Sequence, residues 1–598
     1  MQSPAPIFQE RIEKFSSEYK SLNARYNFIA TLRIIVFMAF LVLFVVFANY
    51  RMAVEMGITA LVFPFAFGFI VRAHQKIKFK REHAKILQSI NQSELNILNG
   101  NLSSQATGQE YLNKKHSYAN DLDIFGSNSL FQLLNRTSTK GGKDLLADWL
   151  LNKSNKDTVL ERQEAIEELS AKIDWRQNFQ ANGLHYEMQQ DNSDELLSWI
   201  KSSNQLSKQQ KSLSFVLPAL TIASIMLNAL TEWPWFATLL LGLVNGVVLY
   251  RFKERIENLT ESVAQHIGVL GAYSLLFKQV EDSTFQSNKL SLIKTTIASK
   301  EASASNSIKA LYTILNYLNA RANMLYGLIN FIFLYDLHII RMSEKWKSEN
   351  QTDVSKWFNS ISELETLCSI AGFRFAKPHF IWPAVADDEY FFEAKGLGHP
   401  LIASDERITN NYELKEKGSV SIITGSNMSG KSTFLRTLGV NLVLAQMGSV
   451  VCAKELKISF VQIFTSMRTQ DNLEEHVSSF YAELQRIQML LELVNNSTPV
   501  LYMLDEILKG TNSQDRHIGA KSLALQLSKT NSFGLISTHD LALGEMATQH
   551  KNIENYSFNS VIQNDEIIFP YKLEKGICHS FNASKLMEKI GIEIHREN

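Results

Sequence analysis

Three groups of residues in this chain have the types and spacing to do chemistry. Gly425-Ser426-Asn427-Met428-Ser429-Gly430-Lys431-Ser432-Thr433 fits G-x-x-x-x-G-K-[ST], with Gly425, Gly430, Lys431 and Ser432 in the fixed places. Glycines at those places let backbone N–H groups close around phosphate oxygens, and the start of a following helix adds its positive dipole end. In such a cradle Ser426, Asn427, Met428, Ser429 and Thr433 line the phosphates, Lys431 reaches the β- and γ-phosphates, and Ser432 holds Mg²⁺. Further on, the apolar run 500–504 ends in Asp505-Glu506. A carboxylate at a strand end downstream of a phosphate loop organises the Mg²⁺, which is the place of Asp505, and Glu506 beside it is set to orient or deprotonate a water. The run 533–537 ends in Thr538-His539-Asp540, where His539 would sense the γ-phosphate or position that water. The implied reaction is in-line attack of water on the γ-phosphorus of ATP, with charge stabilised by Lys431 and Mg²⁺.

These residues need strand ends and a helix start to hold them. Residues 419–423 form a short β-branched run before the glycine loop, and 434–444 carry a helical period after it. From residue 395 onward short strands alternate with helices, which predicts an α/β fold with a parallel sheet. The 598 residues allow two to four domains. The formal net charge is zero, so any contact with DNA must come from a local basic patch. Three cysteines, Cys368, Cys452 and Cys578, lie far apart without a C-x-x-C, a pattern that suits a reducing compartment rather than a zinc cluster or disulfide framework.

Apolar residues are concentrated in two pairs of runs. Residues 28–47 and 52–71 are each long enough to cross a hydrocarbon core of about 30 Å at about 1.5 Å per residue. Pro64 inside the second run is tolerated in a membrane helix. Residues 213–230 and 235–250 repeat the device, with Trp233 and Trp235 at the turn as an interfacial belt. Arg72, Lys76, Lys78, Lys80 and Arg81 follow the first pair, while Lys201, Lys208, Lys211, Arg251, Lys253 and Arg255 flank the second. By the positive-inside rule both hairpins return to the cytoplasmic face of a cell (inner) membrane. The N-terminal segment, the helical region and the glycine loop then all lie in the cytoplasm, where ATP is. The apolar stretch 324–340 is interrupted by Asn330, Asp336 and His338, and it reads as a buried core helix rather than a fifth span.

The nucleotide residues also carry a family resemblance. Residues 424–436 resemble the ATP site of the MutS family of mismatch-repair ATPases, as do Gly398-His399-Pro400-Leu401, Gln446-Met447-Gly448-Ser449, Leu504-Asp505-Glu506 and Ser537-Thr538-His539. Ser478-Ser479-Phe480-Tyr481 is similar to the family's helix start that faces the partner's nucleotide in a composite dimer, which gives Ser479 a nucleotide-binding role across the interface. The likeness is close over residues 396–590 and weak over 122–170. It implies an all-α core and lever region carrying the two hairpins, followed by an ABC-type P-loop ATPase domain. The segments are 1–27, hairpin 28–71, helical core 72–212, hairpin 213–250, core and lever 251–395, and ATPase domain 396–598. A homodimer through the ATPase domain and ATP-dependent DNA binding are the expected partnerships. Mismatch reading does not carry over, because the space before residue 122 holds a hairpin and Phe8-Gln9-Glu10 and Phe391-Phe392-Glu393 match the family's wedge by letters only. Two other readings fit the sequence: a transporter-like ATPase, and a nucleotide-switched membrane scaffold that gathers protein partners without DNA.

Overall fold

The computed structural model describes residues 3–185, 193–202, 206–231, 234–263, 267–298, 303–322, 326–468, 479–496, 498–563 and 566–579. Helices occupy the chain up to Ala376, and a mixed α/β unit follows. The first two helices, Ala5–Asn49 and Ala53–Leu98, form one antiparallel hairpin and run without a break through residues 27/28 and 71/72. Each is roughly 65–70 Å long at ~1.5 Å per residue, more than twice a bilayer core. Their tips pack through phenylalanines, with the Phe40 and Phe63 rings stacked at 3.9 Å. Lys208–Leu230 and Trp235–Val263 form the second hairpin, whose contact is polar instead: Ser224 and Thr238 hydroxyls meet at 2.6 Å, and Asn245 Nδ2 donates to Thr221 Oγ1 at 3.0 Å. Among the described residues, four helices are long and apolar enough to cross a membrane by length and composition.

The stretch 324–340 departs from the expected buried core helix. Leu334 takes a left-handed φ of 48° and divides it into Tyr326–Phe333 and Tyr335–Asn350. The cause is Asp336, a buried carboxylate that must be paired. Folding the chain back lets it accept from Tyr326 Oη and, at 2.8 Å, from Asn330 Nδ2. Only the second half is largely buried; Leu328, Ile329, Phe331 and Phe333 of the first half are exposed. His338 packs edge-on to the Phe215 ring at 5.3 Å, a packing role.

At the centre of the helical region lies Val354–Ala376, buried nearly throughout. Its Glu365 accepts from the backbone N–H and hydroxyl groups of Ser138 and Thr139, which start the helix Lys140–Leu151. Gly142 is needed there because a Cβ would stand 2.3 Å from Glu365 Oε2.

In the α/β unit, β1 (Ala384–Val385), β2 (Phe391–Leu397), β3 (Asn410–Lys415) and β5 (Glu455–Ile458) form one sheet, ordered β1-β5-β2-β3. This sheet is mostly antiparallel, not the parallel one expected from residue 395, because β2 and β3 bury one face and alternate accordingly. The parallel sheet begins at β4 (Val420–Gly425), with β6 (Gln462–Ser466), β7 (Val500–Asp505), β8 (Ser532–Thr538) and β9 (Ile553–Phe558). Its order is β12-β9-β4-β8-β7-β6, where β12 (Leu573–Lys575) is the antiparallel edge; β10 (Val561–Gln563) and β11 (Glu566–Ile568) make a separate hairpin. Strands β4, β7 and β8 are buried at every residue, as parallel strands covered on both faces must be. The two Phe-x-Glu matches are taken up by packing: Phe8 is buried against Phe375, and Phe391 pairs within β2.

Residues 117–125 join the helical region to this sheet. Asp121 is buried and accepts from Thr465 Oγ1 at 2.7 Å, Met467 N at 3.2 Å and Arg468 N at 3.3 Å. Leu122 fills the space over Gly439, where a Cβ would come within 2.7 Å of it. Asp121→Ala leaves the Met467 and Arg468 N–H groups short of their acceptor, each costing on the order of 1–3 kcal/mol if buried and unpaired, while Thr465 Oγ1 can still donate to Ser117 O at 3.3 Å. The expected outcome is a melting midpoint several degrees lower in detergent, measured by scanning fluorimetry, with Asp121→Asn losing less. An unchanged midpoint for the alanine variant would mean that this joint contributes nothing to stability.

Candidate nucleotide-binding site

The glycine loop leaves β4 and enters the helix Lys431–Met447 through Gly430, whose φ of 103° belongs to the left-handed region. A side chain at Gly430 would also meet the Tyr571 ring at 2.9 Å. Lys431 is only 5% exposed; its Nζ donates to the carbonyl oxygens of Gly425 at 2.9 Å and Ser426 at 3.0 Å. Burial lowers its pKa, opposed by the carboxylates of Glu506 and Asp505. Ser426 and Ser429 are buried with hydroxyls that have no protein partner, whereas Asn427, Met428, Ser432 and Thr433 are exposed along the loop.

Strands β7 and β8 bring the acids and the histidine to the same place. Asp505 accepts from Ser432 Oγ at 2.5 Å and from Ser537 Oγ. A Ser hydroxyl and a carboxylate are the hard oxygen donors that a Mg²⁺ shared with phosphates takes from a protein. Glu506, next along the chain, has φ of 51°, which turns its side chain away from Asp505. Its Oε1 lies 2.5 Å from His539 Nε2 and its Oε2 3.2 Å from Lys509 Nζ. The hydrogen bond from His539 is the main reason that its pKa falls to about 2. Lys431 Nζ stands 3.4 Å from the same histidine nitrogen. If that nitrogen carries the proton given to Glu506, it has no lone pair to offer Lys431. Lysine, serine, aspartate, glutamate and histidine, scattered over more than 100 positions of sequence, thus meet at three neighbouring strand ends.

A cavity of about 470 Å³ opens on this cluster. The glycine loop lines it together with Leu397, His399, Ile402, Ile408, Phe558 and Tyr571, of which Phe558 and Tyr571 stand directly against Gly425 and Gly430. The size suits one nucleotide-sized ligand, and the lining offers both polar and apolar surface. His399 is held neutral, its pKa lowered to about 4 by burial and by the nearby Arg436 and Arg407. These apolar residues and Ser537 had no assigned role in the sequence reading. His399 stood inside a quoted motif, but Tyr571 is separated from the loop by 140 residues and carries no local signal. Glu483, which lies just after the Ser478–Tyr481 helix start of the family resemblance, braces the turn after Glu506: its carboxylate accepts from Leu508 N at 2.5 Å and Lys509 N at 3.0 Å. The side chain of Ser479 lies outside the described residues. The helix Ser479–Val494 begins with Phe480 against Gly510, on that same turn rather than on the glycine loop.

Comparison with known proteins agrees with this geometry. The family model for MutS domain V matches residues 421–592, which hold the loop, both acids and His539. MutS protein homolog 4 of Mus musculus is 32% identical over 194 residues, covering 31% of this chain and 20% of that protein. The DNA mismatch repair protein MutS of Natronomonas pharaonis is 28% identical over 237 residues, 39% of this chain and 27% of that protein. The DNA mismatch repair protein MSH4 of Arabidopsis thaliana is 32% identical over 195 residues, 32% of this chain and 24% of that one. This chain therefore spans between a fifth and just over a quarter of the length of these curated relatives.

The depressed Glu506 pKa sets a pH dependence. A carboxylate whose folded pKa lies below its ordinary value of 4.5 stabilises the fold above 4.5, and that stabilisation is lost as pH falls towards about 2. Glu506→Gln should therefore lose less stability than the parent protein over that acid interval, read as thermal midpoints in matched buffers. Parallel acid curves would show that the His539 contact does not hold the carboxylate in solution. The glycine loop, the acids and the histidine all lie within residues 421–592, and this part of the chain is similar to domain V of the MutS family.

Proposed function

We propose that this chain is a membrane-anchored ATPase of the MutS type that binds ATP with Mg²⁺ in the cavity beside Lys431 and hydrolyses it. The observation that carries the reading is the convergence of Lys431, the Ser432–Asp505 pair and the Glu506–His539 pair at one cavity mouth. Mg²⁺, when bound, supplies charge neutralisation on the phosphates. Lys431 and the loop N–H groups bind the phosphate tail, and the unpartnered Ser426 and Ser429 hydroxyls are free to add hydrogen bonds to it. Ser432 and Asp505 hold the ion. Glu506, ionised over the neutral range, orients the attacking water and accepts its proton. His539 fixes the carboxylate of Glu506 in that orientation. The neutral ring of His399 and the Tyr571 ring receive the base.

Two copies are expected to work together, because the helix Ser479–Val494 starts with Phe480 packed on Gly510 rather than on the glycine loop. Two of the matched relatives are named as DNA mismatch repair proteins, and the family resemblance implies a dimer that acts on DNA. For this chain the expected DNA contact is to backbone phosphates, without base reading. The apolar hairpins, exposed to solvent along their spans, support anchoring in a cell membrane with the ATPase domain on the cytoplasmic side.

The test is the ATPase rate of detergent-solubilised protein with and without duplex, mismatched and branched DNA over a salt series. Stimulation that fades with salt supports phosphate-mediated DNA binding. A rate indifferent to every DNA removes DNA from the proposal and leaves the ATPase. Lys431→Ala should abolish nucleotide binding or turnover. Glu506→Gln should keep ATP binding, lower kcat by on the order of 10²-fold or more, and accumulate an ATP-held dimer on size exclusion. Unchanged turnover in the Glu506 variant would take it out of the catalytic role.

A further inference from the structure

We infer that the short helix Tyr326–Phe333 is re-entrant: it enters the bilayer beside the second hairpin and presents Leu328, Ile329, Phe331 and Phe333 to lipid acyl chains. The inference rests on the anchoring reading above and adds a fifth membrane-embedded element to it. Depth comes from the packing. Phe331 lies on the helix Trp235–Val263 at Gly242, where an added Cβ would stand 2.8 Å from its ring, and near Gly246, at 3.7 Å. Asn245, wholly buried between these glycines, donates to the Phe331 carbonyl and to Thr221 Oγ1 of the opposite hairpin helix, both at 3.0 Å. Gly242 lies seven residues from Trp235 and eight from Tyr250, roughly 10–12 Å from either end of that apolar span. A ring seated on Gly242 is therefore near mid-bilayer whenever the hairpin spans. Two small residues four apart provide the usual close seat for such an approach.

The helix meets the other demands of that environment. Residues 326–334 carry no charge, and the two polar side chains, Tyr326 and Asn330, both turn to Asp336. Asp336 also has its own N–H bound by Asn330 Oδ1 at 2.9 Å and Arg321 Nε at 3.7 Å, so the one carboxylate there is paired. The helix breaks at Leu334, which is fully buried; its N–H reaches Asn330 O at 2.8 Å and its carbonyl accepts from Leu337 N at 3.0 Å. Broken helices are tolerated at membrane depth where the break is buried in protein and its backbone groups are satisfied. The outward apolar side chains continue the lipid-facing surface of the hairpin, where Leu239 and Leu243 are each 68% exposed.

Nitroxide labels at Leu328→Cys, Leu239→Cys and Leu292→Cys, at side chains 62%, 68% and 63% exposed, test this in liposome-reconstituted full chain. The three native cysteines are buried and stay unlabelled. Collision with oxygen, which concentrates in hydrocarbon, is compared with collision with a water-soluble nickel chelate. The expected ratio at Leu328 matches that at Leu239 and exceeds that at Leu292, on the cytoplasmic helical region, by about tenfold, since water is absent from the core. A water-like ratio at Leu328 with a lipid-like one at Leu239 overturns the re-entrant helix and leaves the anchor. A label at Leu328 hidden from both reagents also overturns it, in favour of cover by protein, such as a second copy. A water-like ratio at Leu239 itself overturns anchoring and the re-entrant helix together.

Discussion

The rest of the structure depends on burying the helix that begins at Lys431, whose residues from Phe434 to Met447 are buried except Arg436. An ammonium group resists burial, and here it is retained because two loop carbonyls and two nearby carboxylates receive its charge. The far end of the same helix is held from outside the sheet: Arg162 donates to Met447 O at 3.0 Å while its guanidinium lies 3.4 Å over the Trp149 ring. In between, Arg436 pairs with Asp123 at 3.2 Å and Leu122 rests on Gly439. The helix that carries Lys431 and Ser432 is thus gripped at three points by the helical region. A displacement at the loop has a direct mechanical path to residues 117–125, because close-packed interfaces pass on small shifts rather than absorb them.

Two adjacent acids do different work because their neighbours differ. Asp505 faces two hydroxyls and keeps its oxygens where a hard cation needs them. Glu506, turned by its left-handed backbone, faces a histidine and a lysine and is held ionised. The bracing of the next turn by Glu483 fixes that backbone from behind. Backbone strain at one residue is offset by hydrogen bonds from another helix, a pattern found where geometry serves a site.

The two hairpins are joined by different chemistry. The first is held by stacked phenylalanines, which suit any apolar surrounding. The second is held by hydroxyl and amide contacts through Ser224, Thr238, Thr221 and Asn245. Polar pairs specify register more tightly than apolar ones, because a slip leaves each partner unpaired. That fixed register also seats Phe331.

Much was legible in the chain because it is encoded locally. The loop from Gly425 to Ser432 and the strands ending at Asp505 and Thr538 follow from glycine spacing, β-branched runs and a helical period, all short-range signals. The apolar runs of the hairpins are of the same kind. Other features were decided only in three dimensions. Residues 324–340 have the composition of one helix, yet a buried Asp336 needs Tyr326 and Asn330, and only a fold-back supplies both. The early strands read as part of the same strand series as the later ones, but one-face burial makes them a separate, mostly antiparallel sheet. Tyr571 and His399 reach the cavity from distant loops. Sequence by itself determined the glycine loop, the strands that follow it and the apolar runs, since those preferences act over a few neighbours. Tertiary structure alone decided how Glu506 meets His539, and what encloses the cavity, because such contacts depend on which strands lie side by side.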